Sequence, residues 1–210
     1  VCLAPCHVRA AAEYLNGKLP VCTVIGFPNG DMTTRTKVFE TRDALENGAA
    51  VVNLSLGWTN AIEKGYSFLN SVLAQAYASG VVVVAAAGNR SQNNPTGNAD
   101  DVYPANQEAV LTVSGVNRSR AFDSSYSSSG AAVDLCAPGS NVVVAAPGGG
   151  TSVRSGTSFA APHIAAAAAC VRLAQPGLSA AGVRQMLYRY ADSPAVSGAL
   201  RFDDARAVSD

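Results

Sequence analysis

The sequence predicts an α/β fold with three layers, in which helices cover both faces of a mostly parallel, open sheet. Short β-branched runs such as Val81–Val84 alternate with helical stretches along the chain, an order typical of stacked βα units. Right-handed crossovers between such units place helices on both faces of the sheet. With 210 residues and 48% hydrophobic content, the chain can bury one full core, so we expect a single domain over residues 1–210.

The same pattern predicts the individual elements. Strands are expected near residues 1–4, 20–25, 50–56, 80–87, 109–115, 133–136 and 141–146, and helices near residues 7–17, 33–47, 60–79, 158–174 and 179–191. Ser158 and Ser179 are residue types that cap helix starts, and glycines such as Gly48 stand where helices should end. Functional sites in open parallel sheets form at the carboxyl ends of strands, so we expect chemistry just after Ala4, Gly26, Leu56 or Ala87.

Composition excludes several classes of function. Fifteen basic residues balance fifteen acidic ones, so no charged surface for nucleic acid is indicated. The longest apolar run, Val81–Ala87, is too short to span a bilayer, and no leader pattern opens the sequence. We therefore expect neither nucleic acid nor membrane as a partner, and the compartment and the oligomeric state stay open.

The cysteines do not form a metal-binding pattern. Five are scattered through the chain without a CxxC pair, and there are only two histidines, so we expect no metal site and no cofactor. Reduced thiols packed as small hydrophobic side chains explain this distribution best.

Three segments carry residues suited to acyl-transfer chemistry. Gly156–His163 places Ser158 at the opening of an alanine-rich helix, where the helix dipole favours a nearby oxyanion. The strand from Val81 ends at Gly88-Asn89, whose amide is a second potential oxyanion donor. The strand Val51–Gly57 ends where an extended peptide could pair with it. Each feature alone has a simpler explanation, as a helix cap, a turn or a strand exit.

Together these segments resemble the subtilisin-like serine proteases. The motifs are Gly-Thr-Ser-x-Ala-x-Pro-His, Ala-Ala-Gly-Asn and Asn-x-Ser-Leu-Gly, joined by Tyr103-Pro104-Ala105 and Ala137-Pro138-Gly139, and the resemblance runs from about residue 48 to about residue 192. It implies that Ser158 is the nucleophile and that Asn89 donates to the oxyanion together with the Ser158 N–H. Removal of the oxyanion asparagine of subtilisin costs on the order of 100- to 1,000-fold in rate.

The resemblance also implies how a substrate would bind. The partner would be an extended peptide, with Ser55, Leu56 and Gly57 lining the substrate strand. Ala86, Ala87 and Gly88 would form the wall of the pocket for the residue before the scissile bond. On the resemblance alone, a weak calcium site near Tyr103 is left open.

Two members of that family's catalytic triad are missing from the sequence. The family orders its triad as Asp, His and Ser, but neither Asp-(Thr/Ser)-Gly nor His-Gly-Thr-His precedes Ser158. His163 follows Ser158 by five residues and is rotated by about 140° on the same helix, and His7 has no acidic partner arranged behind it. A serine without a base is weakly nucleophilic, so we predict an inactive or very weak peptidase. The alternative is an active serine hydrolase with a non-standard base.

Residues 1–49 have a different resemblance. Val21–Gly30, Lys37–Thr41 and Ala44–Ala49 resemble deoxyribose-phosphate aldolase, a barrel enzyme that works through a lysine Schiff base, and Cys2 matches a strand-end cysteine of that family. We therefore predict a chimera in which residues 1–49 are aldolase-like βα units grafted onto a subtilisin-like core at residues 50–210. The grafted strands should join the open sheet instead of closing a barrel.

Residual aldolase activity is the weakest alternative. Asn53 stands where the aldolase has an acidic residue. The three lysines Lys18, Lys37 and Lys64 are expected to be surface charges, whereas a Schiff-base lysine must be desolvated.

Overall fold

An eight-stranded, mostly parallel sheet forms the centre of the molecule. The computed structural model describes residues 1–27, 31–59, 67–92, 94–196 and 199–202. In chain order the strands are β1 (Cys2–Leu3), β2 (Cys22–Val24), β3 (Val51–Leu54), β4 (Val82–Ala86), β5 (Val110–Val116), β6 (Leu135–Pro138), β7 (Val142–Ala145), β8 (Thr151–Arg154), β9 (Ala191–Val196) and β10 (Ala199–Phe202). The sheet order is β1-β2-β3-β4-β5-β6-β10-β9, with β7 and β8 paired separately. All neighbours in the large sheet are parallel except β9 and β10.

Helices cover both faces of this sheet. They are α1 (Val8–Leu15), α2 (Thr34–Glu46), α3 (Ser67–Ala78), α4 (Thr157–Ala174) and α5 (Ala180–Arg189). One core packs α4 and α5 against one face of the sheet, and the other packs α1, α2 and α3 against the opposite face. Successive strand residues alternate between these cores, as Val51 and Val52 do, because side chains alternate across a strand. The predicted α/β/α architecture is confirmed.

The front strands extend the open sheet, as predicted. Cys2 lies opposite Cys22 in a parallel pairing, and Thr23 lies opposite Val52 in the next one. Strand β1 is therefore an edge strand, and no closed barrel is formed by the described strands.

The predicted helix boundaries are correct to within a few residues, with one correction. Ser179 caps α5 through a 3.1 Å hydrogen bond that its Oγ accepts from the Gly182 N–H. Ser158 is not a cap, because α4 begins one residue earlier and Gly156 is its N-cap. The helix predicted over residues 60–79 is observed from Ser67, and residues 60–66 lie outside the described residues.

No helix within the described residues has both the length and the apolarity needed to cross a membrane.

Candidate active site

Ser158 lies in the first turn of α4, at the carboxyl ends of the central strands. The turn before the helix is tied to the end of β6 by a 2.9 Å hydrogen bond from the Gly156 N–H to the Gly139 carbonyl oxygen. Backbone N–H groups in a first helical turn have no partner within the helix. The Ser158 N–H therefore belongs to the set of donors that an anion at the start of α4 would meet.

The Ser158 side chain is bonded to the end of β3. Its hydroxyl donates to the Ser55 carbonyl oxygen at 3.3 Å, and the Ser55 hydroxyl donates to the Ser158 carbonyl oxygen at 2.9 Å. The Asn53 amide in turn donates to the Ser55 hydroxyl at 2.8 Å. These reciprocal bonds hold the strand exit against the helix start. The Ser158 hydroxyl keeps its proton in this bond, because a backbone carbonyl oxygen accepts a hydrogen bond but does not act as a base.

Asn89 follows β4 and faces the same helix start. Its Oδ1 accepts from both the backbone N–H and the hydroxyl of Thr157, each at 3.0 Å. Because an N–H group must donate, the Asn89 atom that accepts both bonds is the amide oxygen. The amide nitrogen, Nδ2, takes no part in these two bonds. A Cβ atom at Gly156 would lie 3.3 Å from that Nδ2, so the glycine keeps the space beside the donor clear. The predicted oxyanion donor is thus placed next to the predicted nucleophile.

Five of the eight predicted site residues line one of two cavities, and Ala86, Ala87 and Gly88 line neither. A cavity of about 350 Å³ is lined by Val24, Ile25, Gly26, Phe27, Asn53, Ser55, Leu56, Ser158, Phe159 and Pro162. A second cavity of about 390 Å³ is lined by Gly57, Trp58, Thr59, Asn89, Ser91, Asn94 and Val102. Ser55, Leu56 and Ser158 therefore share one cavity, and Gly57 and Asn89 share the other.

Val102 packs between the two predicted substrate walls. A Cβ atom at either Gly57 or Gly88 would lie 2.8 Å from a Val102 methyl group. Ala86 and Ala87 are buried, and the Ala87 N–H donates to Val113 at 2.9 Å. The two alanines therefore support the wall from within the sheet and line neither cavity.

Neither histidine is bonded to Ser158. His163 places its Nδ1 2.8 Å from the Phe159 carbonyl oxygen of the same helix, and His7 is exposed at the end of a short 3-10 turn. Within the described part of the chain, no imidazole or carboxylate forms a hydrogen bond with the Ser158 hydroxyl.

The surroundings of Tyr103 show no acidic metal cluster. Its hydroxyl donates to Asn70 at 2.8 Å, and its carbonyl oxygen accepts from the Trp58 N–H at 3.0 Å. Over the residues that the structure describes, no group of three His, Cys, Asp or Glu side chains is arranged to hold a metal. The calcium site near Tyr103 stays a prediction, and no chemical step below depends on it.

Sequence reasoning missed two buried polar side chains near the site. Asn53 is 2% exposed and its Oδ1 has no hydrogen-bond partner within the described residues. Lys37 was expected to be a surface charge, but it is buried, with Nζ 4.3 Å from the centre of the Trp58 ring. Desolvation lowers the pKa of Lys37 from its usual range. The prediction of a surface charge is correct for Lys18, which is exposed, and wrong for Lys37. Lys64 lies outside the described residues.

Comparison with known proteins identifies the relatives of this chain. It is 41% identical over 147 residues to subtilisin DY of Bacillus licheniformis, covering 69% of this chain and 50% of that protein. It is 42% identical over 143 residues to subtilisin-like protease 1 of Trichophyton verrucosum, covering 67% of this chain and 33% of the relative. The chain thus spans half or less of these curated relatives.

A solved structure and a family model agree with these matches. A cold-adapted subtilisin-like serine proteinase superposes with a TM-score of 0.71 at 30% identity, covering 84% of this chain and 62% of that chain. The model of the subtilase family, Peptidase_S8, matches residues 9–204, which includes most of the segment predicted to be aldolase-like. The chain belongs to the subtilase family of serine peptidases.

Proposed function

We propose that this chain binds an extended peptide at the carboxyl ends of β3 and β4 and cleaves it very slowly or not at all. The supporting observation is the hydrogen bond of the Ser158 hydroxyl to the Ser55 carbonyl oxygen at 3.3 Å. A backbone carbonyl does not remove a proton from an alcohol, so Ser158 stays protonated and weakly nucleophilic at neutral pH. Subtilisin that has lost its triad retains only roughly 10³- to 10⁴-fold acceleration over water.

Peptide binding, unlike catalysis, does not require a base beside Ser158. The segment Ser55–Gly57 follows β3 directly, and Ser55 and Leu56 line the cavity that contains Ser158. An extended peptide can add to such a backbone by main-chain hydrogen bonds, with its side chains placed in adjoining pockets. The apolar lining supplied by Ile25, Phe27 and Phe159 favours an apolar substrate side chain.

The alternative function is an active serine hydrolase whose base we have not identified. It keeps the same nucleophile and the same oxyanion donors, Asn89 and the Ser158 N–H. Residues 28–30, 60–66, 93, 197–198 and 203–210 lie outside the described residues, so the hydrogen bonds given above do not include them. This alternative differs from the first in one measurable property, the reactivity of Ser158.

The chimeric origin of residues 1–49 stays a prediction, and aldolase activity has less support. Lys37 does meet one requirement of a Schiff-base lysine, because burial lowers its pKa. Its amine lies over the Trp58 ring, however, and it lines neither cavity of the site. A carbonyl substrate would have no route to that nitrogen through either cavity.

The first test measures the reactivity of Ser158 with a fluorophosphonate probe. We expect labelling at least about 1,000-fold slower than that of a complete subtilisin, since phosphonylation also needs proton removal. Ser158→Ala is the negative control, and Ser55→Ala reports on labelling of the neighbouring hydroxyl. Labelling of Ser158 at a rate within tenfold of subtilisin would replace our proposal with the active hydrolase.

The second arm of the same test measures peptide binding. Trp58 is the only tryptophan of the sequence and lines the cavity with Gly57 and Asn89, so its fluorescence should change on titration with an extended apolar peptide. A peptide of the same sequence with alternate amides N-methylated cannot add as a strand and serves as the control. Equal responses to the two peptides, or no response to either, would contradict peptide binding.

A further inference from the structure

Two cysteines face each other across the front edge of the sheet. Cys2 of β1 and Cys22 of β2 are direct partners in the parallel register, so their side chains project on the same side of the sheet. Neighbouring strands are about 4.7–4.9 Å apart, which falls within the usual Cα separation of disulfides, about 4.4–6.8 Å. Cys22 is buried, whereas Cys2 is exposed. The pair therefore combines disulfide-compatible spacing with one solvent-accessible sulfur.

The two thiols share a proton unequally. Interaction with the neighbouring Cys22 thiol lowers the pKa of Cys2 to about 7. The same interaction, together with burial, raises the pKa of Cys22 far above that of an ordinary thiol. The Cys22 sulfur also lies 3.8 Å from the Thr23 carbonyl oxygen, a long contact that competes weakly for its proton. The lowered pKa favours the thiolate of Cys2, the form that attacks disulfides.

A cavity gives small molecules access to the pair. It measures about 250 Å³ and is lined by Val1, Cys2, Leu19, Pro20, Cys22, Asn53, Pro162, Ala165, Ala166, Ala169, Cys170 and Leu173. Asn53 and Pro162 also line the cavity that contains Ser158. The pair thus lies outside the cavity that contains Ser158, and Asn53 and Pro162 lie between the two cavities.

We propose that Cys2 and Cys22 form a redox-active dithiol that a small-molecule disulfide, such as oxidised glutathione, converts to an intrachain disulfide. The Cys2 thiolate attacks one sulfur of the reagent, forming a mixed disulfide and expelling one thiolate. Cys22 then loses its proton to solvent and attacks the Cys2 sulfur, expelling the second thiolate. Two protein thiols are oxidised, and the reagent is reduced to two thiols.

The roles of the two cysteines follow from their positions. Cys2 is exposed and carries the thiolate, so it reacts first. Cys22 is buried and protonated, so it acts only after Cys2 has become a mixed disulfide and no longer holds a competing negative charge. Cys170 lines the same cavity from α4 and is the rival partner that the test must exclude.

The test is oxidation of the folded chain with glutathione disulfide at pH 7, followed by intact-mass and peptide mass spectrometry. We expect the loss of two hydrogen atoms and a peptide that joins Cys2 to Cys22. In Cys22→Ala the mixed disulfide on Cys2 should persist as one added glutathionyl group. Cys6→Ala, which changes a second exposed cysteine of the front segment, should behave as the parent chain does.

Alkylation kinetics provide a second measurement that does not depend on disulfide closure. Replacing Cys22 by Ala should move the pH midpoint of Cys2 alkylation from about 7 towards the ordinary thiol value of about 8.5. At pH 7 the rate should fall only about threefold, because the more basic thiolate is also the stronger nucleophile. Cross-linking of either residue to Cys170, a persistent mixed disulfide in the parent chain, or an unchanged midpoint in Cys22→Ala would overturn the proposal.

Discussion

The front segment (residues 1–49) and the body (the described residues from 50 onwards) pack differently against the same sheet. In the body, every residue of β3, β4 and β5 is buried. In the front, β1 is an edge strand with an exposed cysteine. Among the residues whose side chains are described, eight large hydrophobic side chains are exposed, and five of them belong to the front: Val1, Tyr14, Leu19, Phe27 and Phe39. The smaller segment thus buries its apolar side chains less completely.

One charged group in each region shows two different kinds of surroundings. In the body, Asp134 accepts from Arg184 Nη2 at 2.7 and 2.8 Å, from the Tyr188 hydroxyl, and from the Thr112 N–H at 2.8 Å. In the front, Lys37 is buried against the face of Trp58. A charge with several hydrogen-bond partners stabilises its surroundings, whereas a desolvated charge over a ring is compensated only partly.

This difference explains what each region does for the site. The body holds Ser158 and Asn89 at the start of α4, and its polar network fixes the neighbouring helix α5 to the sheet. The front lines the cavity beside Ser158 with Ile25 and Phe27. The following changes test whether the Asp134 network of the body contributes more to stability than the Glu40 and Lys37 contacts of the front.

The largest expected effect is that of Asp134→Ala. The change leaves the guanidinium of Arg184 without its carboxylate and the Thr112 N–H without its acceptor. Removing one partner of a buried ion pair lowers the free energy of unfolding by about 3–5 kcal/mol. Because the two side chains are 20% and 16% exposed, we expect a loss of about 2–4 kcal/mol in the free energy of unfolding, measured by denaturant titration.

Glu40→Ala is the matched change in the front segment. Glu40 Oε2 accepts from the Gly26 N–H at 2.7 Å, a single hydrogen bond at a partly buried position. We expect a loss of about 1 kcal/mol. A loss equal to that of Asp134→Ala would show that the front is held as firmly as the body, contrary to the comparison.

An effect between those of Asp134→Ala and Glu40→Ala is expected from Asn89→Ala. Thr157 would lose the acceptor of both its N–H and its hydroxyl, which anchor the start of α4. Losses of this kind cost about 1–2 kcal/mol. Asn89→Asp keeps an acceptor oxygen and places a negative charge at a helix N-terminus, which is favourable, so its free energy of unfolding should stay within about 0.5 kcal/mol of the parent chain. An Asp variant as unstable as the Ala variant would show that the amide nitrogen, not the oxygen, is what anchors the helix.

The fold could largely be predicted from the sequence because its strands are continuous β-branched runs. The seven predicted strands and the five predicted helices all occur. Strand β8 was missed because Thr151–Arg154 is mostly exposed and follows three glycines. β9 and β10, which were not predicted either, contain alanine, serine and proline in place of a hydrophobic run.

The candidate site was predictable in its parts but not in its connections. Motifs single out Ser158 and Asn89, and the strand order places both at the carboxyl ends of the central strands. The paired bonds between Ser55 and Ser158 join residues 103 positions apart, a contact that no local pattern reveals. The burial of Lys37 has the same origin, since it depends on the approach of Trp58 from beyond the next strand.

The change most specific to the front is Lys37→Met. Desolvation lowers the pKa of Lys37, so the unfolded chain binds more protons than the folded one between that lowered value and about 10.4. The parent chain therefore gains stability as pH rises through this window. Below the window, where Lys37 is charged in both states, we expect the Met variant to be more stable by about 1 kcal/mol, since methionine keeps the apolar stem and avoids the desolvation of the charge.

The pH dependence distinguishes removal of a desolvated charge from a gain in side-chain packing by methionine. The advantage of Lys37→Met should shrink as pH rises towards 10, when the folded parent chain loses its proton, and denaturant titrations at several pH values measure it directly. Lys18→Met changes an exposed lysine of the same segment and should alter stability by less than about 0.5 kcal/mol at every pH. A Met variant that is less stable than the parent, or whose advantage does not change with pH, would mean that the Trp58 ring fully compensates the buried charge and that the front is no less satisfied than the body.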